Sequence, residues 1–480
     1  MADNNDPPPP TAGYAASTHG WDTAFAISAA DVNRAIVDKK TSPTGFAYAD
    51  DSYKVTAGFG DWQIAQGGDG KSIRLSIPMR NIQLTVLSSG KVIAIPAATT
   101  IAEIELTCLP HTDTDQIEVD GANGTAVALK AKTTSDDPDV PVFTVVETTV
   151  PEPGSVNEMT LAVVGQTLQE WGNANLAEFN HVFSVVILND MEDSGQWQFV
   201  MPSYVSYAYL DNGGSVDSSL FGVLCMTGGR DGSANNSQIA YNAIPAGSVA
   251  GFLISQERTL YDLVRPAIKL AYPGLTDDNF LMDEAAEKLY LKDGVTVDLP
   301  SAVHEGGTYY PKLKSLTVSC EGSLFMLASY TETEIGPGIT ATCSTIHYYT
   351  LELTDGGNGQ TLGFKSFQEP SVVNNTHQSE GATITEMIIA IAAAVALIVL
   401  TVLTDGAALI IGGLVIGLLL GADQILPPLI EKVNGDDSPS LDLLRVNAID
   451  PIKWPNSQAF KLDYGMLNVS LQLGGNPGFV

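Results

Sequence analysis

Two copies of one short segment, widely separated in the sequence, constrain the fold of this chain most strongly. The first copy reads FAISAADVNRAIV at residues 25–37, and the second reads FLISQERTLYDLV at residues 252–264. In each copy alternating apolar residues precede a serine, Ser28 or Ser255, and apolar residues at helical spacing follow it. Such a serine can accept hydrogen bonds from the first N–H groups of a helix. The repeat predicts a strand, a serine cap and a helix twice, although periodicity alone also fits two ordinary amphipathic helices.

The length of the chain predicts more than one folding module. A sequence of 480 residues exceeds what one hydrophobic core normally supports. Together with the repeat, this predicts a first module at residues 21–245 and a second at residues 246–480, after a flexible arm at residues 1–20. The arm has no basic region followed by an apolar core, so it is not a secretory signal peptide. We therefore expect synthesis in the cytoplasm, with non-classical release and conditional membrane association left open.

Most of the remaining sequence alternates between apolar and polar residues, which is the pattern of strands. Clear examples of alternation are SIRLSIPM at residues 72–79 and IQLTVL at 82–87. Further strand candidates are WQFVMP at 197–202 and LFGVLCM at 220–226. Glycine-containing turns separate many of these segments. The sequence predicts an α+β fold of elongated modules, in which strongly curved antiparallel sheets each wrap a long helix. A pair of β-sandwiches fits the same pattern.

The second helix of the repeat carries an apolar stripe formed by Leu260, Leu263, Val264 and Ile268. If a curved sheet wraps this helix and leaves a groove beside it, the stripe is the best candidate for the lining of that groove. The simpler interpretation is that these side chains pack in the core, as helical apolar stripes usually do.

The charge of the chain restricts its partners. There are 23 lysines and arginines against 55 aspartates and glutamates, and the formal net charge is −32. This charge repels phosphate backbones, so we expect no nucleic-acid partner. It also opposes diffuse adsorption to anionic membranes, so contact with lipid would require apolar surface or a local basic pocket.

No motif in the sequence predicts catalysis, a cofactor or a metal. AQGGDGKS at residues 65–72 resembles a phosphate-binding loop, but Ala65 replaces its first glycine and a strand pattern follows where a helix is needed. A hairpin turn explains it better. The four cysteines form no CxxC pair, which signals neither zinc nor disulfides. The acidic stretch DTDQIEVDGANG lacks the spacing of a calcium loop, and the six histidines show no metal-protease spacing.

An apolar region near the C-terminus predicts a helical hairpin at residues 387–422. Residues 387–404 and 406–422 carry no charge, and Asp405 lies between them. Each stretch is almost long enough to cross a bilayer as a helix. Small residues at four-residue spacing would allow close helix packing. The hairpin could insert into a membrane, or it could be buried against this protein or a partner. The small residues are Ala390, Ala394, Gly413, Gly417 and Gly421.

Several segments resemble the clostridial P47 and OrfX proteins in kind and in order. They are HGWDTAFAISAADVNRAI, FGDWQIAQGGDGKSIRLSIPM, WQFVMPSYVSYAYLD, LFGVLCMTG and IPAGSVAGFLISQERTLYDLVRPAI, within residues 19–270. The resemblance implies the tubular lipid-binding (TULIP) fold, in which a curved sheet and a long helix leave an apolar groove for lipid. In the second module Leu260, Leu263, Val264 and Ile268 would then line this groove. The resemblance also implies no catalytic residues, and a gene location beside neurotoxin or insecticidal toxin genes.

The leading hypothesis is a noncatalytic, lipid-binding accessory protein of a bacterial toxin system. Its implied partners are a lipid or phospholipid and sibling TULIP-family or toxin proteins. One rival function is a pore-forming or membrane-perturbing toxin component, which the apolar hairpin favours. Another is a scaffold subunit in a complex of TULIP proteins.

Overall fold

The computed structural model divides the chain into two compact units. The first unit comprises Thr18–Phe252, Val446–Lys461 and Gly474–Val480, and the second comprises Met1–Ser17, Leu253–Arg445 and Leu462–Leu473. The boundaries at residues 245 and 246 stay a prediction. The structure describes residues 15–113, 115, 117–119, 124–134, 140–189, 197–213, 215–271, 274–283, 287–299, 301–304, 307–356, 359–368, 371–379 and 444–479.

Helices are few and strands are many, as the α+β prediction requires. The helices are α1 Ala29–Lys39, α2 Glu158–Asn175, α3 Gln256–Arg258 and α4 Arg265–Ala271, with π-helices at Thr259–Val264 and Arg445–Ile449 and 3₁₀-helices at Leu176–Glu178, Gln198–Val200 and Asp277–Asn279. The strands are β1 Thr23–Ser28, β2 Gly45–Ala49, β3 Tyr53–Phe59, β4 Gln63–Gly70, β5 Ser72–Val86, β6 Lys91–Pro110, β7 Thr125–Ala131, β8 Phe143–Thr149, β9 Val182–Leu188, β10 Pro202–Leu210, β11 Leu220–Thr227, β12 Ala250–Ile254, β13 Phe280–Asp283, β14 Lys288–Leu291, β15 Val297–Asp298, β16 Ala302–His304, β17 Gly307–Tyr309, β18 Lys312–Glu321, β19 Leu324–Gly336, β20 Ile339–Gly356, β21 Gly359–Ser366, β22 Ser371–Gln378, β23 Ile452–Lys453, β24 Lys461–Asn468 and β25 Ser470–Asn476.

The first unit is built on one large sheet with strand order β23-β9-β7-β6-β5-β4-β10-β11-β1. β2 and β3 extend it beside β5, and β8 pairs with β6. The long hairpin of β5 and β6 supplies the middle of the sheet, with an antiparallel register from Ser72 opposite Glu105 to Val86 opposite Lys91. Alternate side chains of β5 from Ile73 to Met79 are buried, which is the period expected of a strand with one face in the core.

The turn between β4 and β5 is the segment that resembles a phosphate-binding loop. Gly67, Gly68 and Gly70 all have positive φ, between 61° and 86°, which only glycine adopts without strain. A side chain at Gly68 would place its Cβ 2.4 Å from the carbonyl oxygen of Ser72. The segment forms the predicted hairpin, in which Gly70 precedes the turn at Lys71, and Gly67 and Gly68 lie at a register shift within β4.

Two helices pack against the sheet of the first unit. α1 contacts β1, β4 and β11, and the side-chain amide of Asn33 bonds both backbone groups of Ile64 on β4, at 2.6 Å and 2.9 Å. α2 contacts β2 and β8, and Asn173 makes the same paired bonds to Phe143 on β8, at 2.8 Å and 3.0 Å. An asparagine side chain can replace a neighbouring strand in this way because it carries one donor and one acceptor in one plane.

The 18-residue helix α2 is missing from the sequence prediction, which placed mainly strands between the two repeat copies. Val164, Leu168 and Trp171 are buried at helical spacing, and Asn157 caps the helix by accepting a hydrogen bond from the Met159 N–H. The strand predicted at residues 197–202 is also wrong. Gln198–Val200 form a 3₁₀-helix, and the strand begins at Pro202, a residue that cannot donate to a ladder and therefore starts a strand more readily than it continues one.

The second unit contains an antiparallel sheet with strand order β13-β14-β18-β19-β20-β21, to which β15 and β22 add at β18 and β20. Its helical run at residues 256–271 passes from α3 through the π-helix into α4. Pro266 has no N–H and its ring crowds the carbonyl one turn earlier, and a widened turn immediately before it relieves that conflict. In that turn the Arg265 N–H donates to the carbonyl of Leu260, five residues back. Wrapping of a helix by a sheet stays a prediction for both units.

Two predicted segments fall wholly or partly outside the described residues. The apolar region 387–422 lies entirely outside the described residues, and so the predicted helical hairpin stays a prediction. This region includes Ala390, Ala394, Gly413, Gly417 and Gly421. Residues 1–14 of the predicted arm lie outside the described residues as well. Residue Ala16, which belongs to the second unit, is buried, and its N–H donates to the carbonyl of Asn468 at 3.1 Å.

Candidate functional site

A cavity of about 620 Å³ in the first unit is the best candidate for a ligand site. Pockets that bind small molecules have volumes of roughly 300–1,000 Å³ and combine apolar walls with a few polar groups. Widely separated parts of the chain form this cavity: β1, the end of α1, residues 117–118, residues 449–460 and Pro477. The cavity therefore exists only when the C-terminal segment 446–461 is packed in the first unit.

Aromatic rings form the apolar wall. The ring of Phe25 on β1 lies 5.5 Å from Trp454 and 5.6 Å from Phe460, measured between centroids, and both pairs meet edge to face. Phe252, the matching residue of the second repeat copy, meets Phe25 in the same manner at 5.9 Å. Edge-to-face contacts hold the rings in defined orientations, which gives the cavity a preformed apolar surface.

A short turn fixes the position of Trp454. The Trp454 N–H donates to the Ser457 hydroxyl at 3.2 Å, and that hydroxyl donates to the Trp454 carbonyl at 2.8 Å. Asn456 takes a positive φ of 62° within the turn and donates from its side chain to Asp38 at 3.3 Å. Asparagine is among the few residues that tolerate this backbone conformation.

The indole N–H of Trp454 is a buried donor without an acceptor. Trp454 is 2% exposed, and among the described residues no group accepts a hydrogen bond from Nε1. A buried polar group without a partner costs free energy, and Nε1 has almost no accessible surface through which a ligand in the cavity could reach it. The lining also includes Lys39 and Lys453, and neither has an ion-pair partner in the described ranges. Glu118 and Asp450 supply negative charge elsewhere on the lining.

The residues that line the cavity include no histidine and no cysteine. In the part of the chain that the structure describes, no group of three or more histidine, cysteine or acidic side chains could hold a metal ion. Cys225 and Cys320 are fully buried, and burial raises the pKa of both thiols, which makes them poor nucleophiles.

The residues predicted to line a lipid groove lie in the second unit and apart from this cavity. Leu260, Leu263, Val264 and Ile268 on the π-helix and α4 are at most 5% exposed. Such burial is what a packed core shows, and their assignment to a lipid groove stays a prediction. No helix within the described residues is both long enough and apolar enough to cross a membrane.

Both repeat serines lie at helix N-termini. The Ser28 hydroxyl accepts a hydrogen bond from the Asp31 N–H at 3.1 Å and donates to the Asp31 carboxylate at 2.8 Å. The Ser255 hydroxyl accepts from the Arg258 N–H at 3.2 Å. The two serines satisfy helix N–H groups, which gives the repeat an architectural explanation.

Substitution of Ser255 by alanine is expected to lower the free energy of unfolding by about 1 kcal/mol, because one helix N–H loses its acceptor. Thermal unfolding of the full chain measures the effect. Ser255→Asp, which retains a capping oxygen, should recover most of the loss. If Ser255→Ala kept its full stability, the cap would not have the energetic role assigned to it.

Sequence reasoning did not identify the cavity. Phe25 was recognised as part of the repeat, but residues 449–460 lie more than four hundred positions away along the chain. The local signal was limited to WPN at residues 454–456, a turn pattern that includes one aromatic residue.

Comparisons with known proteins agree on one family. A sequence model of the OrfX-like family, described as protein OrfX2/OrfX3/P47, matches residues 18–475. The chain is 36% identical to protein OrfX3 of Paraclostridium bifermentans over 486 residues, covering 96% of this chain and 98% of that protein. It is 31% identical to protein OrfX3 of Clostridium botulinum (strain Kyoto / Type A2) over 487 residues, with the same coverage of each.

Solved structures with the same fold come from the same group of proteins. P47 from Clostridium botulinum A2 matches with a TM-score of 0.62 at 16% sequence identity, covering 96% of this chain and 98% of that one. P47 of Clostridium botulinum E1 matches with a TM-score of 0.61 at 15% identity, covering 96% and 99%. The chain therefore has a P47-like fold.

Proposed function

The chain belongs to the OrfX-like family of OrfX2, OrfX3 and P47 proteins, and from this membership we propose that it is a noncatalytic accessory protein of a bacterial toxin system. In this proposal the protein acts by binding an amphiphilic ligand, a lipid or phospholipid, and by associating with sibling toxin-system proteins. Family membership supports the accessory role. The cavity of the first unit supports ligand binding.

The observation that carries the ligand proposal is the composition of the cavity wall. The rings of Phe25, Trp454 and Phe460 offer a rigid apolar surface to the hydrocarbon part of a ligand. The Lys39 and Lys453 side chains offer positive charge to an anionic headgroup. An amphiphile with an anionic headgroup matches both features.

The two lysines matter because the chain as a whole is strongly acidic and the lining also carries Glu118 and Asp450. With a net charge of −32, the protein does not attract anionic lipid by its overall field. Binding of an anionic amphiphile then depends on short-range contacts within the cavity. The Debye length is about 8 Å at physiological ionic strength, so distant carboxylates weaken such contacts little.

The test is the lipid content and liposome binding of the purified full-length chain. We expect phospholipid to copurify, as detected by mass spectrometry of an organic extract, and we expect flotation with vesicles of phosphatidylcholine and phosphatidylglycerol. Ala459→Trp places a large ring in the cavity from an exposed position on its lining. This variant should lose most of the bound lipid while its thermal unfolding stays close to that of the wild type.

A matched pair of charge reversals separates the cavity from the general charge of the protein. Lys453→Glu changes a cavity lysine, and Lys461→Glu makes the same change at an exposed lysine outside the lining. We expect lower lipid binding from the first variant only. Equal lipid content in the wild type, Ala459→Trp and Lys453→Glu, with all three folded, would contradict the assignment of the cavity as the lipid site.

A further inference from the structure

The outer edge of β8 is only partly covered by the helix beside it. β8 pairs with β6 along one edge, and α2 lies along the other. The side chains of Asn173 and Gln169 on α2 accept hydrogen bonds from the backbone N–H groups of Phe143 and Val145, at 3.0 Å and 2.9 Å. In the described structure no comparable bond joins α2 to the backbone of residues 146–149, and the pairing of β8 with β6 shifts register at Val146. An uncovered strand edge can pair with another extended chain.

A groove of about 430 Å³ opens where these side-chain amide bonds end. Its walls are residues 145–148 of β8 and the N-terminal half of α2, with Leu161, Ala162 and Gly165 facing the strand. Val146 is 45% exposed on the strand side. The groove therefore offers both a strand edge and a narrow apolar surface for alternate side chains of an added strand.

Gly165 sets the depth of the groove. A Cβ at this position would lie 2.9 Å from the Thr148 hydroxyl oxygen and 3.3 Å from a methyl group of Val145. Gly172, two turns later, is also pressed against β8, since its Cβ would lie 2.7 Å from the ring of Phe143. The two glycines allow α2 to approach β8 closely. The groove between the helix and the strand is therefore shallow.

The charge around the groove has one sign. Glu147 on β8 and Glu158 at the first residue of α2 are both part of the lining. Across residues 140–175 the chain has four glutamates and no lysine, arginine or histidine. Neither lining carboxylate has an ion-pair partner among the residues that the structure describes. A ligand that enters the groove therefore meets uncompensated negative charge.

We propose that the groove between β8 and α2 binds an extended basic segment of a partner protein, which adds to residues 146–149 as a strand. Backbone hydrogen bonds to the uncovered edge provide affinity, as in other examples of strand addition. Lysine or arginine side chains of the segment pair with Glu147 and Glu158, and a small apolar side chain between them packs against Ala162 and Val146. This site is independent of the lipid site proposed above.

Electrostatic repulsion disfavours two other occupants of this strand edge, a second copy of the chain and an anionic lipid surface. If a second copy of this chain added through its own β8, Glu147 and the other glutamates of residues 140–175 would lie near their equivalents, and like charges across a strand pair are destabilising. An anionic lipid surface would meet the same repulsion. A basic extended segment is the one of the three that the groove attracts.

The experiment measures binding of a fluorescein-labelled peptide of about nine alternating lysines and valines, the length of an ordinary strand, to the full-length protein by fluorescence anisotropy. We expect saturable binding, and slower amide hydrogen exchange at residues 145–149 in the complex. A glutamate–valine peptide should not bind. A peptide in which proline replaces the valines keeps the charge but cannot pair as a strand, and it should bind much more weakly.

Two variants locate the peptide on the protein. Glu147→Lys with Glu158→Lys should weaken binding about tenfold or more, because two attractive pairs become repulsive ones. Ala162→Trp should weaken it by filling the groove from an exposed position of α2. The control is Glu178→Lys with Asp217→Lys, which changes the net charge equally at exposed sites outside the groove.

Three results would overturn the proposal. One is equal binding by the groove variants and the control, which would show diffuse attraction to an acidic protein. Another is equal binding of the proline peptide, which would exclude strand addition. The third is unchanged hydrogen exchange at residues 145–149. Thermal unfolding of each variant shows that a loss of binding does not come from a loss of fold.

Discussion

Substitution of Asp22 by alanine is expected to lower the free energy of unfolding by about 3 kcal/mol, because it leaves the buried N–H and hydroxyl of Thr227 without their acceptor and removes the ion pair with the partly exposed Arg230. The Asp22 carboxylate is 2% exposed. It accepts hydrogen bonds from the Thr227 N–H at 2.7 Å, the Thr227 hydroxyl at 2.9 Å and the Arg230 Nε at 3.0 Å, and it forms an ion pair with the Arg230 guanidinium. One side chain thus joins the start of β1 to the turn that follows β11.

Urea unfolding of the full chain measures this loss. Asp231→Ala is the control, since Asp231 lies in the same turn, is exposed, and bonds only locally to Ser233. Asp22→Asn keeps the shape and one acceptor oxygen but loses the charge, and it should fall between the two. If Asp22→Ala unfolded at the same urea concentration as Asp231→Ala, the buried ion pair would have no major role in stability.

The contacts of Asp22 show the structural role of the Gly-Trp-Asp-Thr stretch at residues 20–23, which belongs to one of the segments that resemble the P47 and OrfX proteins. Gly20, the first residue of the stretch, has a positive φ of 87°. The Trp21 indole donates to the carbonyl of Asn236 at 2.8 Å, and Asp22 binds Thr227, about two hundred residues along the chain in each case. Sequence reasoning could recognise the stretch but not its partners, because no local pattern encodes a contact across that separation.

Structural features that depend on residues close together in the chain were predicted well from the sequence. Ser28 and Ser255 are followed by helical periodicity within a few residues, and the glycines of residues 67–70 stand between two alternating segments, so short-range rules were sufficient. Helix α2 was missed although Val164, Leu168 and Trp171 have helical spacing. Its apolar stripe is narrow, Gly165 and Gly172 lower its helix propensity, and the helix is held by side-chain bonds from Gln169 and Asn173 to a strand edge.

The candidate cavity could not be predicted from the sequence, for a different reason. The apolar stripe of the second repeat copy is the conspicuous feature, and Leu260 and Ile268 at its ends are buried in the second unit. The cavity of the first unit depends on the return of residues 446–461 to strand β1, where Trp454 and Phe460 meet Phe25. A return from the far end of the chain leaves no periodic signal in the sequence.

Acidification from pH 7 to pH 5 is expected to lower the free energy of unfolding of each unit by about 2 kcal/mol, from one buried histidine in each. His181 in the first unit is 0% exposed and His347 in the second is 2% exposed. Burial lowers the pKa of His181 to about 3 and that of His347 to about 4, from an ordinary value of 6.5. Below pH 6.5 the unfolded chain therefore binds protons that the folded chain does not, and stability falls with pH until the folded pKa is reached.

The structure around each ring explains why a proton is not accommodated. The His181 Nδ1 forms a hydrogen bond with the Thr41 hydroxyl at 3.0 Å. The imidazole ring contacts the rings of Phe179 and Phe183, and the described residues offer its Nε2 no partner. The His347 Nδ1 lies 3.3 Å from the Tyr349 hydroxyl, and its Nε2 likewise has no partner there. Protonation places an N–H on both nitrogens of the ring, and the described residues offer the N–H at Nε2 no acceptor, in addition to the cost of a buried charge.

Urea unfolding at pH 7 and pH 5, followed by hydrogen exchange so that each unit is resolved, measures the loss. His181→Phe combined with Thr41→Val removes the titrating ring and the hydroxyl that would lose its partner. This double variant should abolish the pH dependence of the first unit while that of the second persists. His377→Gln, at an exposed position of β22, should leave both unchanged. A first unit that loses the same stability on acidification with and without His181 would contradict the assignment, because the protons would then bind elsewhere.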